Sequence, residues 1–333
     1  MKSAPEDAAR SRRKVAVFGV PSSAGARNAG LERAPFALRE AGLLERLRSL
    51  SLRVVNLSDL SLFPFREDPE HPRQRNVEVV ACAARAAADE MTRALAEGFC
   101  VILGGDCTLT VGVLAGAKKA LGQPVGLVFL DADADLNTPA TTPSGYLNGM
   151  ALALAMGRGP LEVTSAGGEP PAVLPEHVAL VGYRALDPGE VHAIGSLGLA
   201  LPAVAARRIG MPRVAALALA AVENDGGPVL VHFDIDLLDP SEAPAKDTLT
   251  AGEGLSWTEA SELVAALLAS PRVVALQVAE YNPERDADGR CAARLVELVT
   301  RAVEGHFSSP SGPRGGSRRP ATPAPRRSPR RRA

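Results

Sequence analysis

Val229-Leu-Val-His-Phe-Asp-Ile-Asp236 is an apolar run that breaks off into alternating aspartates. Val125-Gly-Leu-Val-Phe-Leu-Asp-Ala-Asp-Ala-Asp135 repeats the pattern about a hundred residues earlier. A continuous apolar run of five or six residues fits a strand buried on both faces, which belongs in a parallel sheet. Lys14–Val20, Phe99–Leu103, His177–Gly182 and Arg272–Ala279 read the same way. Helical spacing fills the gaps at Val77–Glu97, Leu109–Leu121 and about 211–223, 257–269 and 287–304. Strands alternating with helices predict an α/β fold: a doubly wound, mostly parallel sheet with helices on both faces.

In such sheets ligands bind outside the carboxyl ends of the strands. Asp131, Asp234 and Glu280 stand at three of those ends, and Gly104-Gly105-Asp106-Cys107 follows a fourth. Carboxylates brought together repel, so they take up protons or hold a cation. Two clusters on two strands predict a divalent-metal site. Paired ions there would polarise a water and generate hydroxide near neutral pH.

The chain has 333 residues and is 46% hydrophobic, which is ample for a large core. Its formal charge of −1 conceals eight arginines between Arg314 and Arg332, without which the rest carries −9. Residues 1–13 read as a disordered tail, 14–306 as the α/β domain, and 307–333 as a disordered Arg/Pro/Ser-rich tail. The segment from about 158 to 176, rich in Gly and Pro, reads as a surface loop. No apolar run reaches the roughly 20 residues of a membrane span. The N-terminus has no signal-like apolar region, and four scattered cysteines suggest a reducing compartment, so the expectation is a cytoplasmic protein. Cys82, Cys100 and Cys291 fit core positions, and Ser256-Trp257 with Glu259 fits a capped helix start. The basic tail has no interleaved aromatics, so a solvated extension is preferred to a nucleic-acid partner.

Several further stretches resemble the arginase (ureohydrolase) superfamily, which includes agmatinases and formiminoglutamases. They are Val20-Pro-Ser-Ser23, Gly30–Leu43, Gly104-Gly-Asp-Cys-Thr108, Asp131–Pro139 with Thr141–Gly145 and Gly149, Gly182–Glu190, His232–Pro240 and Glu280-Tyr-Asn-Pro283. The resemblance spans most of residues 14–305. It implies two divalent ions, with Mn²⁺ expected, held by Asp131, Asp135, Asp234 and Asp236, with Asp133 and Cys107 standing at two further ligand positions. Asp131 and Asp234 would bridge them. It implies hydrolysis of a guanidino or amidine C–N bond, arginine giving ornithine and urea. A water between the ions attacks the guanidinium carbon, Asp135 takes a proton and Glu280 orients the guanidinium. Asn137, Ser144 and Asn148 would line the substrate site, with Asp187 near an α-amino group. The resemblance also implies a small guanidino substrate and a homo-oligomer, a trimer or hexamer.

The sequence departs from the family at three histidine positions. Cys107 stands in the first motif, Asp133 in the second, and Asn148 where a proton-shuttling histidine often stands. Cys107 is left open between a thiolate ligand and a small packed side chain. An oxygen-only shell around Asp131, Asp133, Asp234 and Asp236 would suit a hard cation. His232 is near the site but is not read as a ligand. The departures also admit a second class: a non-catalytic arginase-fold protein that binds metal or a ligand.

Overall fold

The computed structural model describes residues 13–246 and 250–308. Of the tails read over 1–13 and 307–333, residues 1–12 and 309–333 lie outside the described residues. Eight parallel strands form one sheet: β1 (Lys14–Gly19), β2 (Arg53–Asn56), β3 (Phe99–Leu103), β4 (Gly126–Leu130), β5 (Val178–Tyr183), β6 (Leu199–Pro202), β7 (Val229–Asp234) and β8 (Val273–Ala279). Their spatial order is β2-β1-β3-β8-β7-β4-β5-β6. Every pairing is parallel. The six apolar runs form the sheet's centre, flanked by β2 and β6.

Strand alternation divides the core in two. Val15, Val17, Val101, Leu103, Val128, Leu130, Val231 and Phe233 face helices Ala34–Glu40, Leu43–Ser49, Met211–Ala221, Trp257–Leu268 and Arg290–Ser308. Ala16, Phe18, Cys100, Ile102, Leu127, Phe129 and Leu230 face Val77–Glu97, Leu109–Leu121 and Ala151–Ala155. Helices thus cover both faces, as a sheet of continuous apolar strands requires. The two helices Val77–Glu97 and Leu109–Leu121 pack closely because Gly112 and Gly116 lie against the backbone of Ala84 and Ala88.

Three expectations need correction. The final helix runs to Ser308, two residues into the segment read as tail; His306 there stacks near Phe99, with ring centroids 4.5 Å apart. The 158–176 segment is more than a surface loop, since it contains the helix Leu161–Thr164 and buries Val163 and Val173. Cys82 is exposed on its helix, whereas Cys100 and Cys291 are buried. The helix start at Ser256 carries the expected reciprocal cap with Glu259.

Candidate metal centre

β3, β8, β7 and β4 are neighbours, so their carboxyl ends open on one crevice. Residues Phe129 and His232 are in register across β4 and β7, and Asp234 is in register with Ala279 of β8. Asp131 and Asp234 therefore leave adjacent strands at one level, and Glu280 follows from the third. The crevice is a cleft of about 300 Å³. Its walls include Cys107, Asp131, Asp133, Asp135, Asp234, Asp236 and Glu280, together with Asn137, Ser144, Asn148 and Asp187. All residues expected from the sequence to form the site thus lie around one cavity.

The backbone is shaped for this. Asp135 and Glu280 hold left-handed φ values of 53° and 61°, which L-residues rarely adopt. Such conformations persist where surrounding structure enforces them, often at functional sites. Glu280 N donates to Gly105 O at 2.9 Å, tying the end of β8 to the loop after β3. Gly105 leaves no room for a side chain, because a Cβ there would lie 1.8 Å from Ser22 O. Asp106 of the same loop is structural: it is buried and accepts from Ser22 Oγ at 2.8 Å and Thr108 N at 3.1 Å.

The carboxylates brace one another through backbone amides. Asp133 N donates to Asp131 Oδ1 at 2.8 Å, Asp236 N to Asp234 Oδ1 at 2.7 Å, and Ala132 N to Asp236 Oδ1 at 3.0 Å. Thr250 Oγ1 donates to Asp133 Oδ2 at 2.8 Å. Cys107 joins the network twice, its N donating to Glu280 Oε1 at 3.0 Å and its Sγ to Asp234 Oδ2 at 2.8 Å.

Burial, and then the charges of Asp236, Asp234 and Asp133, push the Asp131 carboxyl well above the usual range. Burial followed by the Asp236 and Glu280 charges does the same to Asp234. Burial followed by the Asp131 and Asp133 charges raises Asp135. Asp133 is pushed up to about 7 by burial and Asp236. Burial, with the Asp234 and Glu280 charges, also raises the Cys107 thiol. These groups face one another with too few cations, and Asp131 Oδ2 is buried without a hydrogen-bond partner. An orphaned buried carboxylate oxygen is costly. A divalent ion would remove both penalties, so the residues fit one.

Among the described residues, two groups have donor atoms close enough to share an ion. One comprises Asp131, Asp133 and Asp236; the other comprises Cys107, Asp131, His232 and Asp234, with donor atoms within 4.8 Å of one another. Asp131 belongs to both groups. Asp135 lines the same cleft but joins neither group. His232 was expected near the site, though not as a ligand. It lies two residues before Asp234 on the same strand face, directly beneath the cluster, and that period-2 relation was available in the sequence. Thr250 and Glu190 were missed. Glu190 is buried and accepts from Leu136 N and Asp187 N, each at 2.8 Å, fixing the loops that carry Asn137 and Asp187.

The arginase family model matches residues 13–303. The arginase of Bacillus caldovelox is 34% identical over 290 residues, covering 86% of this chain and 96% of that one. The hepatic arginase of Aquarana catesbeiana is 32% identical, covering 83% of this chain and 87% of its own. The solved structure of the Bacillus caldovelox arginase has a TM-score of 0.80 at 32% identity, with 87% of this chain and 98% of that chain covered. Proclavaminate amidino hydrolase of Streptomyces clavuligerus, 22% identical with a TM-score of 0.68 over 90% and 92% of the two chains, shares the fold. Matched along nearly its whole described length, this chain belongs to the arginase family of hydrolases.

Proposed function

We propose that the protein hydrolyses the guanidino C–N bond of an α-amino acid, with arginine giving ornithine and urea. What supports this reading is that Asn137, Ser144 and Asp187 line the same cleft as the carboxylates. Asn137 Nδ2 donates to Asp187 Oδ2 at 2.8 Å, and Thr141 Oγ1 donates to Asn137 Oδ1 at 3.0 Å. Asn137 and Ser144 can donate to an α-carboxylate, and Asp187 can accept from an α-ammonium. A bare amine such as agmatine has no use for the first pair.

Asp131, Asp133, Asp135, Asp234 and Asp236 are proposed to hold two divalent ions, Mn²⁺ among them. When bound, such ions supply Lewis-acid activation of water. Asp135, which lines the cleft, is the proposed proton acceptor. Glu280, fixed by Cys107 N and its left-handed backbone, orients the guanidinium by charge-assisted hydrogen bonds. Asn148 cannot carry a proton, and its Oδ1 accepts from Gly149 N at 3.0 Å. Proton exit therefore falls to bulk water or another group. Assembly as a homo-oligomer belongs to the same proposal. Among the described residues no helix is long and apolar enough to cross a membrane.

The same Asn148 geometry favours one competing reading, a metal- or ligand-binding protein without turnover. Urea release from arginine, agmatine and guanidinobutyrate, with Mn²⁺ and other divalent ions added, separates the two. Arginine turnover is expected to exceed that of the other two substrates. No urea from any substrate with any metal overturns hydrolysis.

A further inference from the structure

We propose that His232 Nε2 is a metal ligand, and that with Cys107 Sγ, Asp131 and Asp234 it forms a site for a borderline-soft ion such as Zn²⁺. The centre then holds two chemically different ions. The second group, Asp131, Asp133 and Asp236, offers oxygen alone and suits a hard cation of the Mn²⁺ class. This inference rests on the reading of the crevice as a metal centre.

The imidazole is placed and oriented for the role. His232 is fully buried on β7, and its ring stacks on Phe129 at 4.2 Å between centroids and 8° between planes. Thr110 Oγ1 lies 3.0 Å from Nδ1, and Gln277 Nε2 donates to that same hydroxyl at 3.1 Å. With Nδ1–H donating to Thr110, Nε2 turns its lone pair toward Cys107 Sγ, 3.4 Å away. Cys107 spends its own proton on Asp234 Oδ2, 2.8 Å distant. His232 Nε2 and Cys107 Sγ thus face each other beside Asp131 Oδ2, which has no hydrogen-bond partner among the described residues. A cation satisfies all three at once. An N–H donated to a fixed partner on the far side of the ring is the usual support for a ligating histidine.

A histidine serving only as core filler would be expected to find a good partner for each nitrogen, and here one nitrogen has only a thiol. Four ligands around one tetrahedral ion stand roughly 3.5 Å apart, so closing this group takes shifts of about an ångström or less per ligand. On binding, the Cys107 thiol proton passes to solvent as the thiolate forms, and no redox change is involved. Thiolate with imidazole is a donor set that selects Zn²⁺ over Mn²⁺.

The test uses the full chain stripped of metal under anaerobic conditions and reloaded with Zn²⁺, then with Mn²⁺. Zinc-edge X-ray absorption of the wild type is expected to show one sulfur near about 2.3 Å together with imidazole scattering. Cys107→Ser should remove the sulfur. His232→Gln, which retains a donor for Thr110, should remove the imidazole signal and raise the Zn²⁺ Kd by at least about 100-fold. Mn²⁺ affinity of the oxygen-only group, followed by electron paramagnetic resonance, should change by less than about threefold, since His232 is not among its ligands. A wild-type zinc shell lacking either sulfur or imidazole overturns the proposal, whatever the variants do. So does an imidazole signal that survives in a folded His232→Gln protein. The urea assay separates the two readings. Arginine turnover with an oxygen-only shell at both ions overturns this inference alone. A sulfur–imidazole shell without turnover supports this inference and overturns hydrolysis.

Discussion

Asn137 Nδ2 and Asp187 Oδ2, 2.8 Å apart, join the loop after β4 to the loop after β5 across the mouth of the cleft. The amide that holds this neighbouring carboxylate in position is also the donor proposed to meet a substrate carboxylate. Asn137→Ala is expected to raise KM for arginine by about 10-fold or more, the scale of one hydrogen bond to a charged group. Asp187→Ala should do the same, and the double variant should lose less than the sum, because each residue already depends on the other. Agmatine turnover, where measurable, should respond little to Asn137→Ala. Steady-state kinetics on both substrates check this, and equal losses on both would argue against an α-carboxylate contact.

Metal-free protein should become less stable as pH rises. Asp131, Asp133, Asp135 and Asp234 bind protons more tightly folded than unfolded, because burial and mutual repulsion disfavour their charged forms. The folded state then holds more protons, so stability is full below the ordinary carboxylate pKa and is lost as pH climbs through the raised values. For Asp133 that window runs from 3.8 to about 7. Thermal melts of chelator-treated protein should fall by several degrees between about pH 5 and 8, and a saturating divalent ion should cancel the trend. A metal-free melting temperature that rises over that interval would contradict this account of the cluster.

Asp234→Asn should cut urea release by at least about 100-fold, since it withdraws a donor from beneath the cluster and neutralises the acceptor of the Cys107 thiol. The metal-free variant should melt higher than the metal-free wild type at neutral pH, because one buried charge is gone. Turnover retained at the wild-type rate would mean that Asp234 is not part of the machinery.

Gly105→Ala should destabilise the fold by about 3 kcal/mol, as overpacking against rigid backbone does. The obstructing atom is Ser22 O, 1.8 Å from the added carbon, and neither chain segment has a flexible end to move aside. Denaturant titration checks the loss. Metal affinity should fall with it, because Cys107 and the hydrogen bond from Glu280 N ride on the same loop.

The interior of the fold was legible because buried parallel strands announce themselves as unbroken apolar runs. Phe99–Leu103 and the helices Val77–Glu97 and Leu109–Leu121 match their expected bounds. β2 and β6 were missed for the converse reason: Arg53–Asn56 and Leu199–Pro202 are short edge strands, only partly buried, and the second ends in proline. Cys82 was misplaced because its helix has an exposed face as well as a buried one, and the cysteine falls on the exposed face. The aspartates could be read as one site because each directly follows a strand. His232 was set aside as a ligand because strand alternation from Asp234 left it at the strand end. What lies under a strand end belongs to the strand's interior, and only the three-dimensional pairing of β7 with β4 and the turn at Cys107 shows what the imidazole meets.

The register that aligns Phe129 with His232 also sets the pitch at which donor atoms are offered, about 4.8 Å from strand to strand. That pitch belongs to the backbone ladder and is indifferent to which side chain hangs from it. A lineage built on such a pegboard can exchange one donor for another, thiol for imidazole or imidazole for carboxylate, without redrawing the frame. Changes in metal preference then require single substitutions at fixed pegs, so the inorganic character of the centre can drift far faster than its architecture.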